Sequence, residues 1–513
     1  MEPVVTSEEL LKCTAILEAI ANDSILLAKM SKEDRVRLMV AAGRMIRPER
    51  NEVTRRLKAF RREKREKKRA LDRTVRAGSE IRLARLDAVF VPPPRRAELE
   101  LLEETPSSGE LQSARICYVC KKEFRRLHFF YDSMCAPCAA FNYEKRFQSA
   151  SLAGRTALIT GARLKIGYQA ALMMLRAGAR VIVTTRFPQD AALRYAREPD
   201  FSKWKDRLEV FGLDLRHSPS VEIFTRYMTQ NCERLDILIN NAAQTVRRPP
   251  GFYGHLMDGE GQSFESLPES VRPLLLGHER CKSALIGVAK SGTSGWLADW
   301  HLQGHGIGQG IGMTSSAALS QIPYRCDDSE TVTEHFPAGK LDCDLQQVDL
   351  RGVNSWRLKL ADVPTAEMLE VQLVNSIAPF ILCSKLKPLM LRHPTGEKHI
   401  VNVSAVEGQF ARHTKTDKHP HTNMAKAALN MMTYTSSRDY AKDGIFMNAV
   451  DTGWVTDEDP AALSARKQED HDFQPPLDIV DGAARVCDPF FSGLATGKHS
   501  WGNFLKDYVP TGW

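Results

Sequence analysis

The sequence predicts a doubly wound α/β fold, a parallel sheet with helices on both faces, preceded by a helical, basic arm and a small metal-binding module. Three observations carry this reading. Thr156-Ala-Leu-Ile159 runs into Thr160-Gly-Ala-Arg-Leu-Lys-Ile-Gly167, which reads as a strand, a glycine turn and a helix start. Further apolar, β-type runs follow at Val181-Ile-Val-Thr-Thr-Arg186, Asp236-Ile-Leu-Ile239 and His399-Ile-Val-Asn-Val-Ser-Ala405. Their ends carry polar residues, where open α/β sheets bind ligands. Upstream, Cys117-Tyr-Val-Cys120 and Cys135-Ala-Pro-Cys138 repeat a metal-knuckle spacing.

Residues 1–90 read as the helical arm. Thr6 and Glu9 have capping-box spacing, and Leu10, Cys13, Leu17 and Ile20 recur at helical intervals. Ser31 with Asp34 marks a second start, and Pro48 begins a longer helix expected to reach Ala77, with Gly78 as its stop. Val53, Leu57 and Phe60 form a stripe that Lys64, Lys67 and Lys68 interrupt. Between Arg44 and Arg76 stand fifteen Lys/Arg against five Asp/Glu, a surplus of ten, whereas the whole chain carries only +8. The remainder is near neutral, so the basicity belongs to the arm. The run Arg61–Arg69 reads first as a solvated helical face. Contact with a protein partner, nucleic acid or an anionic surface, and nuclear import, are its alternatives. No aromatic residue interrupts the run to stack on bases.

Residues 91–113 read as a Pro/Ser-containing linker and 114–148 as the metal module. Two Cys-x2-Cys knuckles would aim four thiolates, from Cys117, Cys120, Cys135 and Cys138, at one tetrahedral Zn2+ with no open position. Such a zinc-ribbon-like site is structural. Phe124, Phe129, Phe130 and Tyr131 supply the small core around it.

At 513 residues and 43% apolar composition, the chain can bury several domains. No run of 18 apolar residues occurs, and the acidic start lacks an apolar leader core. Eleven cysteines fit a reducing compartment. The expectation is an intracellular, cytoplasmic protein, with the nucleus as second choice.

The α/β domain is expected over 151–513. Gly161 opens the turn and Gly167 lets the helix approach the sheet with its N-terminus aimed at a pyrophosphate. Further on, Asn240-Asn-Ala-Ala243, Asn375 in Val374-Asn-Ser-Ile-Ala-Pro-Phe380, Thr422-Asn-Met-Ala-Lys426 and Asn448-Ala-Val-Asp-Thr-Gly453 stand in register with these motifs. Together the segments resemble the short-chain dehydrogenase/reductase (SDR) family, in two blocks, 151–249 and 350–513.

The resemblance implies a Rossmann-type domain binding a nicotinamide dinucleotide through Gly161, Arg163, Lys165, Ile166, Gly167, Arg186, Asp214, Asn241, Ala242, Lys426 and Gly453. Lys165 stands where the family has its middle glycine. The second strand ends in Thr185-Arg186 without a carboxylate for a ribose 2′-hydroxyl, which favours NADP over NAD. Asp214 matches the adenine-side aspartate, and Thr452 replaces a proline.

In the family a tyrosine protonates the substrate carbonyl, a lysine lowers its pKa, a serine orients the carbonyl and an asparagine completes a relay. Lys426 and Asn375 match. The tyrosine position is Thr422, the serine position Ala405, and Ser404 lies one place early. An aliphatic hydroxyl is a far weaker acid than a phenol of pKa about 10. Tyr434 lies roughly 12 Å further along the helix and cannot substitute. His421 and His419 are the nearest replacement acids. The residues thus allow an NADP(H)-dependent oxidoreductase of atypical mechanism, acting on a carbonyl or alcohol, or a catalytically inactive dinucleotide-binding scaffold.

About a hundred extra residues, roughly 250–349, separate the blocks, including the glycine-rich His301–Gly312. They read as a lid or a partner-binding loop, with His301 and His305 more plausible as loop residues than as metal ligands. Homo-oligomerisation stays open.

Overall fold

Strands β1 (Glu110–Ile116) and β2 (Glu123–Arg126) pair antiparallel around the first cysteine knuckle. There Lys121 adopts a left-handed φ of 63° and the Cys117 N–H donates to the Lys122 carbonyl. The computed structural model describes residues 5–95, 109–291, 310–324, 332–412 and 415–513. Most of the predicted linker and of the glycine-rich segment, with His301 and His305, lies outside the described residues.

The main sheet holds β3 (Thr156–Thr160), β4 (Arg180–Thr185), β5 (Leu208–Gly212), β6 (Ile237–Asn240), β7 (Lys398–Ser404), β8 (Ile445–Asp451), β9 (Phe504–Lys506) and β10 (Val509–Thr511). Its order is β10-β9-β8-β7-β6-β3-β4-β5, parallel throughout except for the antiparallel β9–β10 pair. Every residue of β3, β6 and β7 is buried, as strands covered on both faces require. The predicted parallel α/β fold is therefore present. The strand order reverses between β3 and β6, the topological switch point at whose carboxyl ends open α/β sheets bind ligands.

One core packs helices Lys165–Arg176 and Ile479–Thr496 on the sheet, and the other packs Ser218–Asn231 and Ala378–Leu391. By length and composition the stretch Thr365–Leu391 could cross a membrane. Half of its apolar window is buried in the fold, with Leu382, Leu386, Leu389 and Met390 in the core, as expected of an internal helix. The insertion contributes helices Pro250–Glu260 and Arg272–Ser291 and the short turn Ile311–Thr314.

The chain divides into two compact units, Met1–Asp72 and Arg73–Trp513. In the first, Thr6 and Glu9 close their capping box, Ser31 caps Lys32–Ile46, and no described helical residue is buried. The basic helix runs Arg50–Ala77, with Val53, Leu57 and Phe60 exposed. Ile81 and Arg82, inside the predicted 1–90 arm, are core residues of the second unit.

Candidate active site and four-cysteine cluster

Helix Pro420–Lys442 packs on β8 and carries Thr422 and Lys426 one turn apart on the same face. The Lys426 ammonium is buried and donates to the Val403 carbonyl at 2.8 Å. Burial pulls its pKa down to about 8, against the upward pull of Glu407 and Asp451. The Thr422 hydroxyl is also buried and finds no partner among the described residues. Ser404, at the end of β7, donates its hydroxyl to Asn430 Oδ1 at 2.5 Å. Its only proton is committed there, so Ser404 does not offer a hydrogen bond to a carbonyl.

Asn375 lies in a π-helical turn, Leu373–Ile377, a distortion frequent at functional sites. Its carboxamide accepts from the Gln244 N–H at 2.7 Å and donates to the Gln244 carbonyl at 3.1 Å. Both ends hold the chain just past Asn240-Asn-Ala-Ala243. His421 is placed elsewhere than at Lys426: five residues along a helix separate side chains by about 140°. Its Nε2 lies 3.5 Å from Glu367 Oε1. Burial pushes the Glu367 carboxyl up, but His421, Ser355 and Arg247 outweigh it and hold it low. His419 stacks on Trp356 with ring centroids 3.8 Å apart and takes a φ of 42° as the residue before the helix. It is a turn residue packed on an aromatic face.

The glycine turn is fastened by Asn241, whose Nδ2 donates to the Thr160 and Gly161 carbonyls, and by Thr160 Oγ1, which accepts from the Asn241 and Ala242 N–H groups. A Cβ on Gly167 would stand 2.4 Å from Asn241 Nδ2 and 2.5 Å from the Gly161 carbonyl. Gly167→Ala is expected to destabilise the protein by about 1–3 kcal/mol, read as a lowered urea midpoint. Ile166 packs against Gly482 and Val455. No side chain caps helix Lys165–Arg176, which leaves its first N–H groups available for an anion.

The adenosine side of the crevice differs from the family expectation. Arg163 is buried and paired with Asp190 at 2.7 Å. Arg186 donates to Tyr253 Oη at 2.6 Å and lies over that ring. Asp214 is 1% exposed, and Arg216 bridges both its oxygens. Lys165 turns its ammonium toward Asp344, 3.9 Å away. These four predicted cofactor residues thus have partners within the chain, three of them close contacts. Lys426 and the glycine turn thus stand near the carboxyl end of the sheet, while the residues that the resemblance assigns to the adenosine end are engaged by the protein itself.

The four cysteines bring their sulfurs within 4.8 Å of one another, with Cys120 and Cys135 Sγ 3.6 Å apart. Tetrahedral Zn–S bonds of about 2.3 Å give edges of about 3.8 Å, so a four-sulfur cluster with this spacing is compatible with zinc. Cys117, Phe130, Tyr131 and Met134 share one core with Val455, Leu477, Ile479 and Val480. Between the knuckle residues, Tyr118 Oη accepts from the Trp454 N–H at 2.9 Å. The module therefore buttresses the loop after β8, where Gly453 has a φ of 76° and leaves no room for a Cβ against Leu477. Below it Arg146, with a fully buried side chain, pairs with Asp478 at 2.6 Å and Asp481 at 3.1 Å, while the Tyr131 hydroxyl donates to Asp481. Sequence reasoning missed Tyr118, Arg146, Glu367, Asn430 and Tyr253. Their partners are distant in the chain, and nothing local marks them.

Comparison with known proteins agrees with this construction. The family model for short chain dehydrogenase matches residues 155–253, and that for Enoyl-(Acyl carrier protein) reductase matches 330–475, with most of the insertion between them. An uncharacterized protein of Acanthamoeba polyphaga mimivirus is 31% identical over 407 residues, covering 77% of this chain and 75% of the viral protein. Human Retinol dehydrogenase 14 is 42% identical over 151 residues, 27% of this chain and 41% of its own length. The chain thus spans under half of that dehydrogenase. Among solved structures, the Pseudomonas aeruginosa RhlG/NADP active-site complex is 19% identical, with a TM-score of 0.41, covering 69% of this chain and 95% of that one. With its strand order, glycine turn, Asn-Asn-Ala segment and lysine helix, the chain belongs to the short-chain dehydrogenase/reductase family.

Proposed function

We propose that the protein is an SDR oxidoreductase of atypical mechanism that interconverts a carbonyl and an alcohol with NADP(H), and that its cysteine module holds a structural zinc. The observation that carries the enzymatic reading is the buried Lys426 ammonium on the same helix face as the unpartnered Thr422 hydroxyl. Lys426 would hold the nicotinamide ribose, and the N-terminus of helix Lys165–Arg176 the phosphates. A bound nicotinamide ring supplies or accepts the hydride.

Protons need another source than a phenol. With a pKa brought down to about 8, the Lys426 ammonium is itself a competent acid near neutral pH. Among the described residues Thr422 Oγ1 has no partner within hydrogen-bond reach, so a proton passing from Nζ to that hydroxyl and on to a carbonyl oxygen needs one intervening water. His421 with Glu367 lies around the helix, and Ser404 is committed to Asn430. Both position the site in this scheme.

Lys426→Ala is expected to lower turnover about 10²–10⁴-fold, without loss of the folded far-UV signal. In the wild type, carbonyl reduction should fall as pH rises through about 8, because the acid form of Lys426 is lost there. Its effect on stability has a definite sign. The folded pKa lies below the unfolded value of about 10.4, so the unfolded chain binds the extra proton and stability rises between about pH 8 and 10.4. Lys426→Met should flatten that slope.

The testing experiment titrates NADPH by fluorescence and then follows its oxidation across a panel of carbonyl compounds. Turnover abolished by Lys426→Ala supports the enzyme. Binding without turnover across the panel supports the rival reading, a dinucleotide-binding scaffold, which the engaged adenosine side favours.

A further inference from the structure

The insertion places several of its groups on residues that the family resemblance assigns to the adenosine end of the cofactor. The Gly312 carbonyl accepts the Asp214 N–H at 2.7 Å, and the Leu319 carbonyl accepts from Arg216, the residue that holds the Asp214 carboxylate. Ser316 Oγ donates to the Arg186 carbonyl at 2.8 Å and would stand 2.7 Å from a Cβ on Gly212. Tyr253 binds the Arg186 guanidinium through its hydroxyl and its ring face, 4.6 Å from the ring centroid. An aromatic ring against Arg186 meets the same demand that a purine would. Phe187, Phe252, Tyr253, Leu256 and Phe336 then form a separate apolar cluster, which fixes this cover to the end of β4. By contrast, Lys426 and the uncapped start of helix Lys165–Arg176 keep polar capacity to spare.

We infer that Tyr253 and the Gly312–Leu319 segment are a built-in occupant of the adenosine subsite, so that the folded protein discriminates against the adenosine half and accepts a nicotinamide mononucleotide about as well as a dinucleotide. The inference rests on the oxidoreductase reading above. An occupant that must be displaced lowers apparent affinity by the fraction of molecules in which it has left. A ligand lacking the adenosine half never meets that penalty. The contacts of Arg186 and Asp214 therefore determine which nicotinamide carrier is used, a role that neither residue would have in an open crevice.

The test compares NADPH with reduced nicotinamide mononucleotide, by fluorescence titration of the full chain. The wild type should bind the two within about tenfold of each other. Tyr253→Phe combined with Ser316→Ala removes two hydrogen bonds and keeps the packing. It should tighten NADPH at least about tenfold while leaving the mononucleotide unchanged. Hydrogen exchange on the wild type adds a second readout, since saturating NADPH should expose the amides of 312–316 and Asp214 and the mononucleotide should not. NADPH binding the wild type 100-fold or more tighter than the mononucleotide overturns the inference and leaves the dinucleotide reading standing. If only the double variant binds NADPH, the built-in occupant is supported. Absence of binding of either ligand to either protein removes both readings.

Discussion

Stripping the proposed zinc from the four-cysteine module is expected to melt residues 110–147 and to end the proposed nicotinamide-dependent turnover in one step. The module between β1 and helix Ala136–Arg146 is too small to hold itself by apolar burial. In such domains the apparent metal-binding free energy, about 10–16 kcal/mol, is largely the folding free energy. The consequence reaches the active site because Cys117, Tyr131 and Met134 share a core with Val455 and Leu477, and because Tyr118 holds the Trp454 N–H. Metal analysis should find one zinc per chain. Chelation, or Cys135→Ser, should release it and lower the thermal midpoint together with turnover. Four freely titrating thiols and no zinc in purified protein would remove the prediction. A chelated protein that lost its metal but kept its melting curve would remove the coupling.

Arg146→Ala should cost about 3–5 kcal/mol of stability, the penalty of leaving buried carboxylates without their cation. Arg146 is fully buried between Asp478 and Asp481 and lies 4.7 Å from the Phe130 ring centroid. Asp478 and Asp481 also form the capping box of helix Ile479–Thr496, so the variant frees charge and unsettles a helix start together. The pH dependence separates this mechanism from simple cavity formation. In the wild type, burial pushes the Asp478 carboxyl up, but Arg146 outweighs burial and holds it below its ordinary value. That stabilisation is present above the unfolded pKa and is lost as pH falls through the folded one. Without the arginine, burial dominates and the carboxyl pKa rises above the unfolded value, so the variant loses stability as pH rises through about 3.9. The deficit measured by urea melts should therefore shrink from pH 7 toward pH 4.5. A deficit independent of pH would attribute the loss to packing alone.

Much of the fold was legible because the signals are short. The capping box at Thr6 involves residues three apart and is formed. The knuckle spacing, the glycine turn and the apolar runs that became β3, β4, β6 and β7 are likewise decided over a few neighbouring residues. The site was harder to read. The positions of Thr422 and Lys426 follow from the family resemblance, but the orientation of His421 follows from Glu367 on another helix. The same limit applies to Ser404, a candidate site residue one place early in the motif, whose hydroxyl is taken by Asn430.

The sequence by itself determined the strand–turn–helix start, the parallel sheet and the cysteine cluster. Tertiary structure alone decided which polar groups remain available. Arg186 meets Tyr253 across 67 residues and Ser316 across 130, Tyr118 meets Trp454 across 336, and Arg146 meets Asp478 across 332. A buried charge or hydrogen-bonding group must find a partner wherever the fold brings one. Which partner it finds depends on the packing of whole elements and not on the spacing of neighbours along the chain.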